Sequence, residues 1–435
     1  MASFSITGNN VKRCSGFCSY CVAGSTSNYV MGCKKDVEAL EKIDEWVWEK
    51  EYKADWNKVE ESLANDPQIK EDKAKNNKSF HCDLWGADSA TNLLMIDDMV
   101  KHLTDIAHHL GYEYISFSDS TNGIGLLRDE VADYHREHNI HIQLSHDGLG
   151  QFIRTRDIEP LEFDNTKALI KEGVLNAINC TLSFYNYDII SNFNFWTKYI
   201  KNEIWPDIYD KNKMATEKDT KLYKQLYIKL NHIYNGTPYN KERNTFGLFN
   251  GRVYEQLKGE EFGDFNFIND RERADKYGIE EMAHVLDEYI HSYRMMLRYL
   301  GTIEAIPFYS YFSGQINRFK LNKDTEAITG SCRAYQRWKH NIGEERSKKS
   351  TTFVIDTLGN YSECNLIDSN HSVKNPGGVQ PAYCEKCKYR TMSECMPCGS
   401  ECFPNECHYN YVWANFLEEL KLGIYKIPNR FGENK

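Results

Sequence analysis

The stretch YISFSDSTNGIGLLRDEVADYHREHNIHIQLSHDG, residues 114–148, decides the fold class. Its pattern predicts a strand over Tyr114 to Ser118, a helix over Leu126 to Glu137 and a second strand over His141 to Ser145. The turn Thr121-Asn122-Gly123 separates the first strand from the helix. Strand, helix and strand at this spacing predict a parallel βα unit, in which ligands gather at the carboxyl ends of the strands.

The alternation of strands and helices continues on both sides of this stretch. Residues 35–78 are rich in Glu, Lys and Asp, and we expect surface helices there with a break at Asn65-Asp66-Pro67. The other predicted elements are strands over 4–7, 78–85 and 177–184 and helices over 90–110 and 165–171.

From about residue 190 to 300 the alternation stops and the composition turns rich in Tyr, Asn and Lys. Two helices are predicted there, over 219–235 and 279–300, around a loop-like middle. We interpret this region as an insertion or lid that recognises the substrate, because inserted loops commonly carry specificity. A last strand is expected over 305–312.

Composition and charge argue against two classes of function, nucleic-acid binding and membrane insertion. The 435 residues include 53 Lys and Arg against 63 Asp and Glu, a formal net charge of -10. This acidic balance argues against sequence-independent binding of nucleic acid. We find no run of 18 apolar residues, and the segment MASFSITGNNVKRC lacks the apolar core of a signal peptide. We therefore expect a cytoplasmic protein with no membrane partner.

Cysteine is the most informative residue type in the chain. There are 14 cysteines, and in a chain without an export signal clustered thiols more often bind metal or carry redox chemistry than form disulfides. They fall mainly into two groups, one between residues 14 and 33 and one between residues 364 and 407. Each group predicts a metal site.

The first group contains the run Cys14-Ser15-Gly16-Phe17-Cys18-Ser19-Tyr20-Cys21, which follows the first predicted strand. Three thiolates on one short loop can hold three irons of a 4Fe–4S cluster and leave the fourth iron open to another ligand. The run resembles the signature of the radical S-adenosylmethionine (SAM) superfamily, including the aromatic residue before the third cysteine, here Tyr20. A zinc site or a chance group of thiols is the alternative.

The resemblance continues at the turns after the next strands. Where the family has a Gly-Gly-Glu-Pro-like turn that meets the amino group of SAM, this chain has Trp85-Gly86-Ala87-Asp88-Ser89. The turns Thr121-Asn122-Gly123 and Ser145-His146-Asp147-Gly148 match the family's Thr-Asn-Gly and Ser-x-Asp-Gly strand ends, although each alone is also an ordinary turn. The SAM-binding residues that the resemblance implies are Tyr20, Trp85, Gly86, Ala87, Asp88, Asn122, Ser145, Asp147, Arg154, Arg156 and Ser183. For the two arginines, a surface salt bridge is the alternative.

The second group resembles the SPASM extension of radical SAM enzymes. The steps Gly359-x4-Cys364, Cys384-x2-Cys387 and Cys398-x3-Cys402 fit that pattern, whereas Cys332 lies unusually far upstream and Cys395 is an extra thiol. The resemblance implies two auxiliary 4Fe–4S clusters. Their ligands would be Cys332, Cys364 and Cys402 for the first and Cys384, Cys387, Cys398 and Cys407 for the second, with Cys395 as a replacement for Cys398. A zinc knuckle built from the two Cys-x2-Cys pairs is the competing interpretation.

The resemblance implies an α/β fold, a partial (β/α)6 TIM-like barrel with a C-terminal cysteine-rich iron–sulfur domain. The expected domains are the first part of the barrel over 1–190, a mostly helical insertion over 191–300, the end of the barrel over 301–330 and a SPASM-like domain over 331–435.

For function, the resemblance implies reductive cleavage of SAM to a 5'-deoxyadenosyl radical, which abstracts hydrogen from the substrate. SPASM enzymes most often oxidise peptides or proteins, so a crosslink or a dehydrogenation is the expected modification. Asn365 follows Cys364 where sulfatase-maturing enzymes carry an Asp thought to act as base, which disfavours sulfatase maturation. The sequence identifies no residue as catalytic.

Two alternative functions remain open, and the resemblance also implies partner proteins. The radical chemistry could instead act on a small molecule such as a sugar or nucleotide, as a dehydrogenase or epimerase. Alternatively, the cysteines could stabilise a zinc-binding interaction module. The expected partners are a peptide or protein substrate and an electron donor such as flavodoxin or ferredoxin. Because only 13 residues precede Cys14, leader binding would need a separate partner protein or the insertion at 190–300.

Overall fold

The computed structural model describes residues 2–8, 11, 14–16, 36–85, 88–182, 186–210, 215–232, 291–292, 294–312, 354–362 and 422. Two compact units divide the chain. The first comprises Met1–His146, Phe152–Asn176 and Ser331–Pro376, and the second Asp147–Gln151, Ala177–Gly330 and Gly377–Lys435. Among the helices described, none combines the length and the apolar composition that crossing a membrane requires.

Strands and helices alternate along the described chain. The strands are β1 (Ala2–Thr7), β2 (Ser79–Trp85), β3 (Tyr114–Thr121), β4 (Ile140–Ser145), β5 (Leu175–Leu182), β6 (Tyr227–His232), β7 (Val354–Asp356) and β8 (Tyr361–Ser362). The helices are α1 (Val37–Trp46), α2 (Trp56–Asn65), α3 (Pro67–Ala74), α4 (Leu93–His109), α5 (Asp129–Glu137), α6 (Gln151–Thr155), α7 (Asp164–Glu172), α8 (Ile189–Tyr199) and α9 (Glu217–Gln225). The predicted alternation from β1 to β5 is confirmed.

Six strands of the first unit form one sheet in the order β4-β3-β2-β1-β7-β8. Neighbours are parallel except β7 and β8, which are antiparallel. The turn between β7 and β8 contains Gly359, whose φ of 77° lies in the left-handed region that glycine tolerates. Gly359 of the Gly359-x4-Cys364 step thus lies in a turn between two strands, while Cys364 itself lies outside the described residues.

Side chains on β2 alternate between two environments. Phe80, Cys82 and Leu84 are fully buried, whereas His81 and Asp83 between them stay partly exposed. The helix α4 contributes an apolar stripe to the same core. Burial of one large apolar side chain contributes about 1.5–3 kcal/mol to the free energy of unfolding. If β2 slipped by one residue against its neighbours, His81 and Asp83 would face the core and these apolar side chains would face solvent. The alternation therefore fixes the register of the sheet.

The helices between β1 and β2 hold the turn between β7 and β8. The backbone N–H of Asp55 donates to the carbonyl of Thr357 at 2.7 Å, and the Thr357 hydroxyl donates to the carbonyl of Lys53 at 2.6 Å. The hydroxyl of Ser62 on α2 donates to the carbonyl of Gly359 at 2.8 Å. The predicted helix break at Asp66 is confirmed. The segment between β1 and β2 also holds the turn between β7 and β8, a structural role that its charged composition did not indicate.

In the second unit, β5 and β6 pair in parallel. The helix predicted over 219–235 is wrong beyond Gln225, where α9 ends, because a strand begins at Tyr227. Ile228 and Leu230 are buried and Lys229 between them is partly exposed, which is the two-residue period of a strand. The βα alternation therefore continues into the region that we interpreted as an insertion.

The strand predicted over 305–312 is also wrong, because residues 306–312 are helical. Ala305, Phe308 and Phe312 are fully buried, and their spacing of three and four residues is the period of a helix. Of the helix predicted over 279–300, residues 291–292 and 294–299 are helical. Its beginning and the loop-like middle of the region lie outside the described residues.

Candidate active site

A buried group of polar side chains lies beyond the carboxyl ends of β2 and β3. We call it the strand-end network, and its members are Ser15, Asp88, Thr91, Thr121 and Asn122. Asp88 is 1% exposed. Its carboxylate accepts hydrogen bonds from the hydroxyls of Ser15, Thr91 (2.5 Å) and Thr121 (2.6 Å) and from the backbone N–H of Asn122 (3.2 Å). Four donors from three chain segments thus meet on one carboxylate.

Cys14, the first cysteine of the Cys-x3-Cys-x2-Cys run, lies beside this network with a half-buried side chain. Its sulfur accepts hydrogen bonds from the backbone N–H of Gly16 at 3.3 Å and from Asn122 Nδ2 at 3.5 Å. N–H donors favour the thiolate, which is the form that binds metal. A methyl group on Gly16 would lie 2.9 Å from Asn122 Nδ2, so only glycine allows the loop to approach so closely.

The turn after β3 fixes the orientation of the Asn122 amide. Asn122 Oδ1 accepts the backbone N–H of Ile124 at 2.9 Å, and the Thr121 hydroxyl accepts the N–H of Gly123 at 3.0 Å. Gly123 has a φ of 87°, and an added Cβ would lie 2.7 Å from a methyl group of Leu144. Because its oxygen is held by the backbone, the Asn122 amide directs its NH2 toward Ser15 and Cys14.

A second polar group lies on the partly exposed face of the sheet. We call it the strand-face cluster, and it comprises His81, Asp83, Ser116, Ser118 and His141. The strand register places Asp83 opposite Ser118 and Ser118 opposite His141, so three neighbouring strands contribute to one row. Sequence reasoning did not identify this cluster, although the strict alternation of β2 was a signal that His81 and Asp83 share one face.

His81 connects the cluster. Its Nδ1 lies 2.9 Å from Ser116 Oγ, and its Nε2 lies 3.3 Å from Asp83 Oδ1. The hydroxyls of Ser118 and, at 3.5 Å, of Ser5 donate to the Asp83 carboxylate. The arrangement carboxylate, imidazole, hydroxyl provides a path for a proton along the sheet face.

Burial and neighbouring charges shift the titration of the cluster. Burial opposes ionisation of Asp83, but the hydrogen bonds from His81 and Ser118 and the charge of His81 outweigh it and lower the pKa of this carboxyl. Burial and the charge of His81 lower the pKa of His141. Asn176 Nδ2 lies 3.2 Å from His141 Nδ1, so that nitrogen accepts the amide hydrogen. The cluster therefore combines an ionised carboxylate with imidazole groups.

The two arginines that the resemblance singled out lie in different environments. Arg154 is 8% exposed and Arg156 is exposed. The carbonyl oxygen of Arg154 would lie 3.6 Å from a Cβ on Gly16, next to the cysteine loop. Burial and the charge of Arg154 lower the pKa of the buried His146, against the opposing effect of Glu159. The backbone of Arg154 thus passes beside the cysteine loop, and its charge acts on the buried His146.

The remaining predicted residues lie at strand ends or on loops. Trp85 and Ser145 are the last residues of β2 and β4, and both are partly exposed. In the second unit, Asp147 is buried and its carboxylate accepts the backbone N–H of Thr181 at 3.0 Å. Asn186 Nδ2 donates to the Asp147 carbonyl at 2.7 Å. These contacts hold the loop after β4 against β5.

Several predicted residues lie outside the described part of the chain. The SAM-binding candidates among them are Tyr20, Gly86, Ala87 and Ser183, and the cysteines are Cys18, Cys21, Cys332, Cys364, Cys384, Cys387, Cys395, Cys398, Cys402 and Cys407. Within the described residues no group of three or more His, Cys, Asp or Glu side chains is arranged to hold a metal ion. The predicted clusters stay predictions.

No family model and no curated protein matches the chain. Solved structures do match. The structure of native anSMEcpe, an anaerobic sulfatase-maturating enzyme, with bound AdoMet has a TM-score of 0.51 and 13% identity and covers 96% of this chain and 99% of that chain. A structure of anSMEcpe with AdoMet and the Cp18Cys peptide has a TM-score of 0.47 and 12% identity, with coverage of 97% and 100%.

At this identity the likeness concerns the fold alone. The α/β fold that the sequence predicts, built of parallel βα units, is confirmed, and the fold of the chain is similar to that of anSMEcpe. The chemistry of Cys14 fits an iron ligand, because its sulfur is half-buried and accepts two N–H groups.

Proposed function

We propose that this protein is a radical SAM enzyme that oxidises a peptide or protein. The observation that carries the proposal is the position of Cys14, the first thiol of a Cys-x3-Cys-x2-Cys run, beside a buried polar network at the strand ends of a fold similar to that of anSMEcpe. Ligands in parallel α/β folds gather at that edge. Cys14, Cys18 and Cys21 would hold the cluster that binds SAM.

When bound, the first cluster and SAM would supply a 5'-deoxyadenosyl radical, and the auxiliary clusters would accept the electron that the oxidation releases. The residues of the chain would bind the cluster and SAM and orient them toward the substrate. Arg154 offers a buried positive charge for the carboxylate of SAM, and Gly16 leaves room at the cysteine loop. Trp85 and Ser145 are the last residues of β2 and β4, and Asn122 directly follows β3.

The strand-face cluster is the proposed proton acceptor. Asp83 beside Nε2 favours the tautomer of His81 that carries its proton there, which leaves Nδ1 to accept a hydrogen bond from Ser116. A two-electron oxidation of a carbon that bears a hydroxyl, thiol or amino group releases one hydrogen atom to the radical, one electron to an iron–sulfur cluster and one proton. His81 would take that proton through Ser116.

The C-terminal cysteines support the choice of a peptide or protein substrate, since their spacing resembles the SPASM pattern. In this proposal they hold two auxiliary 4Fe–4S clusters, residues 331–435 form that domain and residues 191–300 recognise the substrate. A flavodoxin or ferredoxin would supply the first electron.

Iron, sulfide and zinc content after anaerobic purification and reconstitution is the first test, followed by chromatography for 5'-deoxyadenosine after addition of SAM and dithionite. About twelve irons per chain and SAM cleavage are expected for three clusters. Cys14→Ala should lose the first cluster and SAM cleavage, whereas Cys82→Ala, a buried thiol on β2, should retain both. Zinc without iron would support the interaction module instead.

A small polar substrate is the second candidate, favoured by the hydroxyls and imidazoles of the strand-face cluster. Mixtures of deuterated peptides and of deuterated sugars and nucleotides separate the two candidates. The class that transfers deuterium to 5'-deoxyadenosine is the substrate class.

A further inference from the structure

Asp88 is a buried carboxylate whose partners are all neutral. Its four hydrogen-bond donors are three hydroxyls and one backbone N–H, and none of its hydrogen-bond partners among the described residues is a cation. A buried carboxylate without a cation is stabilised only if hydrogen bonds replace its hydration. The folded state therefore requires that these four donors stay directed at the Asp88 carboxylate.

This requirement fixes the direction of every hydrogen bond between Asp88 and Cys14. Because the Ser15 hydroxyl donates to Asp88, its oxygen is left to accept, and Asn122 Nδ2 donates to it at 3.1 Å. The amide oxygen of Asn122 already accepts the N–H of Ile124. The second hydrogen of the NH2 group is thus directed at Cys14 Sγ, 3.5 Å away. Asp88, Ser15, Asn122 and Cys14 form one polarised chain.

We propose that Asp88 and Ser15 are positioning residues that set the reduction potential of the cluster held by Cys14. The backbone N–H of Ile124 decides which end of the Asn122 amide faces the sulfur, and Ser15, itself held by Asp88, keeps the NH2 group within hydrogen-bond distance of it. This inference rests on the proposed function. An N–H donor withdraws electron density from a ligating thiolate and stabilises the reduced cluster, so its loss lowers the potential. The Asp88 side chain then acts on the protein, in contrast to the contact with SAM that the resemblance implies for its turn.

The test is a redox titration of the reconstituted full-length protein, followed by electron paramagnetic resonance. Asn122→Ala removes the N–H···S contact and should shift the midpoint potential of the SAM-binding cluster to a more negative value. Ser15→Ala leaves the N–H···S donor in place, yet it should shift the midpoint potential in the same direction. Ser15→Thr keeps the hydroxyl and should have the midpoint potential of the wild type. The double variant should shift no further than Asn122→Ala, because Ser15 acts through Asn122.

Thr166→Val is the matched control, since it removes a buried hydroxyl on α7 that has no hydrogen-bond partner among the residues the structure describes. Its potential should equal that of the wild type. An unchanged potential in Ser15→Ala at full iron content would overturn the inference and leave the proposed function intact. A wild-type chain that takes up no iron would overturn the proposed function itself.

If Ser15→Ala does not retain the cluster, the Asn122 side-chain amide can be followed by nitrogen-15 NMR in the cluster-free, full-length proteins. The wild type should show two resolved amide protons that exchange slowly with solvent. Ser15→Ala should lose that protection, and equal protection in the two proteins would contradict the inference.

Discussion

The strand-end network and the strand-face cluster belong to the same unit and contain the same kinds of side chain, but one is closed and the other is open. Asp88 is 1% exposed and receives four donors, whereas the Asp83 side chain is 36% exposed and shares its row with His141, whose pKa burial and the charge of His81 lower. A closed network with every group satisfied holds the chain in place. An open cluster with an ionised carboxylate and imidazoles can exchange hydrogen bonds and protons with a bound molecule. We therefore assign a structural role to the strand-end network and a role in proton transfer to the strand-face cluster.

Removing the two carboxylates should show this difference most strongly. Asp88→Ala removes the carboxylate that accepts from three hydroxyls and one N–H in a buried site and should lower the free energy of unfolding by about 5 kcal/mol. Asp83→Ala, its matched control in the open cluster, should cost about 1 kcal/mol because water can replace the lost contacts. Urea unfolding followed by circular dichroism measures both. Equal losses would show that the two groups do not differ as described.

The buried ion pair behind the strand-end network should produce the next largest effect. Arg128 donates to Asp44 at 3.0 Å and to the carbonyl of Thr91 at 3.3 Å, and burial raises the pKa of Asp44 despite the opposing Arg128. Arg128→Met strands a buried carboxylate and should cost about 3 kcal/mol. The double variant with Asp44→Leu should recover most of that loss, as measured by urea unfolding. A double variant as unstable as the single one would argue that packing, and not charge, is at stake.

Substitution in the open cluster should affect chemistry instead of stability. His81→Gln retains a polar side chain but cannot take the proton, so product formation should fall about 100-fold. Cleavage of SAM to 5'-deoxyadenosine should continue, because the strand-end network is untouched. The measurement is the ratio of product to 5'-deoxyadenosine, and added imidazole should raise this ratio in His81→Gly. A proportional loss of both would place His81 in the cofactor site.

Local patterns account for the parts that the sequence predicted correctly. Strands, helices and turns between residues 114 and 148 follow from periodicity and from Asn-Gly chemistry, which act over a few residues. The strand β6 escaped prediction because a polar composition masked its two-residue period. The hydrogen bond between Ser15 and Asp88 joins residues 73 apart in sequence, so neither composition nor spacing could reveal it. The turn that carries Asp88 was predicted as a SAM contact, which the structure leaves as a prediction.

The strand-face cluster escaped prediction for a related reason. His81, Ser116 and His141 come from three strands, and each is an ordinary polar residue in its own segment. Only the register between the strands assembles them. A sequence fixes which face of a strand a residue occupies, but the pairing of strands decides which residues of that face become neighbours.

The smallest expected effect is a pH dependence of stability that comes from the open cluster. In the folded chain the pKa of Asp83 lies below its ordinary value of 3.8, so the ionised carboxylate contributes stability above that value. This contribution should be lost as the pH falls from about 4 through the lower folded pKa. Asp83→Asn should therefore flatten the acid limb of the stability profile, measured by urea unfolding between roughly pH 2 and 6. Burial opposes ionisation of Glu130, but the hydrogen bond and charge of Arg128 outweigh it and lower its pKa. Because Glu130 lies outside both groups, Glu130→Gln should flatten the limb independently of Asp83→Asn. If Asp83→Asn leaves the acid limb unchanged, the contacts of Asp83 with His81 and Ser118 do not favour its ionised form, and the open cluster loses the ionised carboxylate on which its proposed proton path depends.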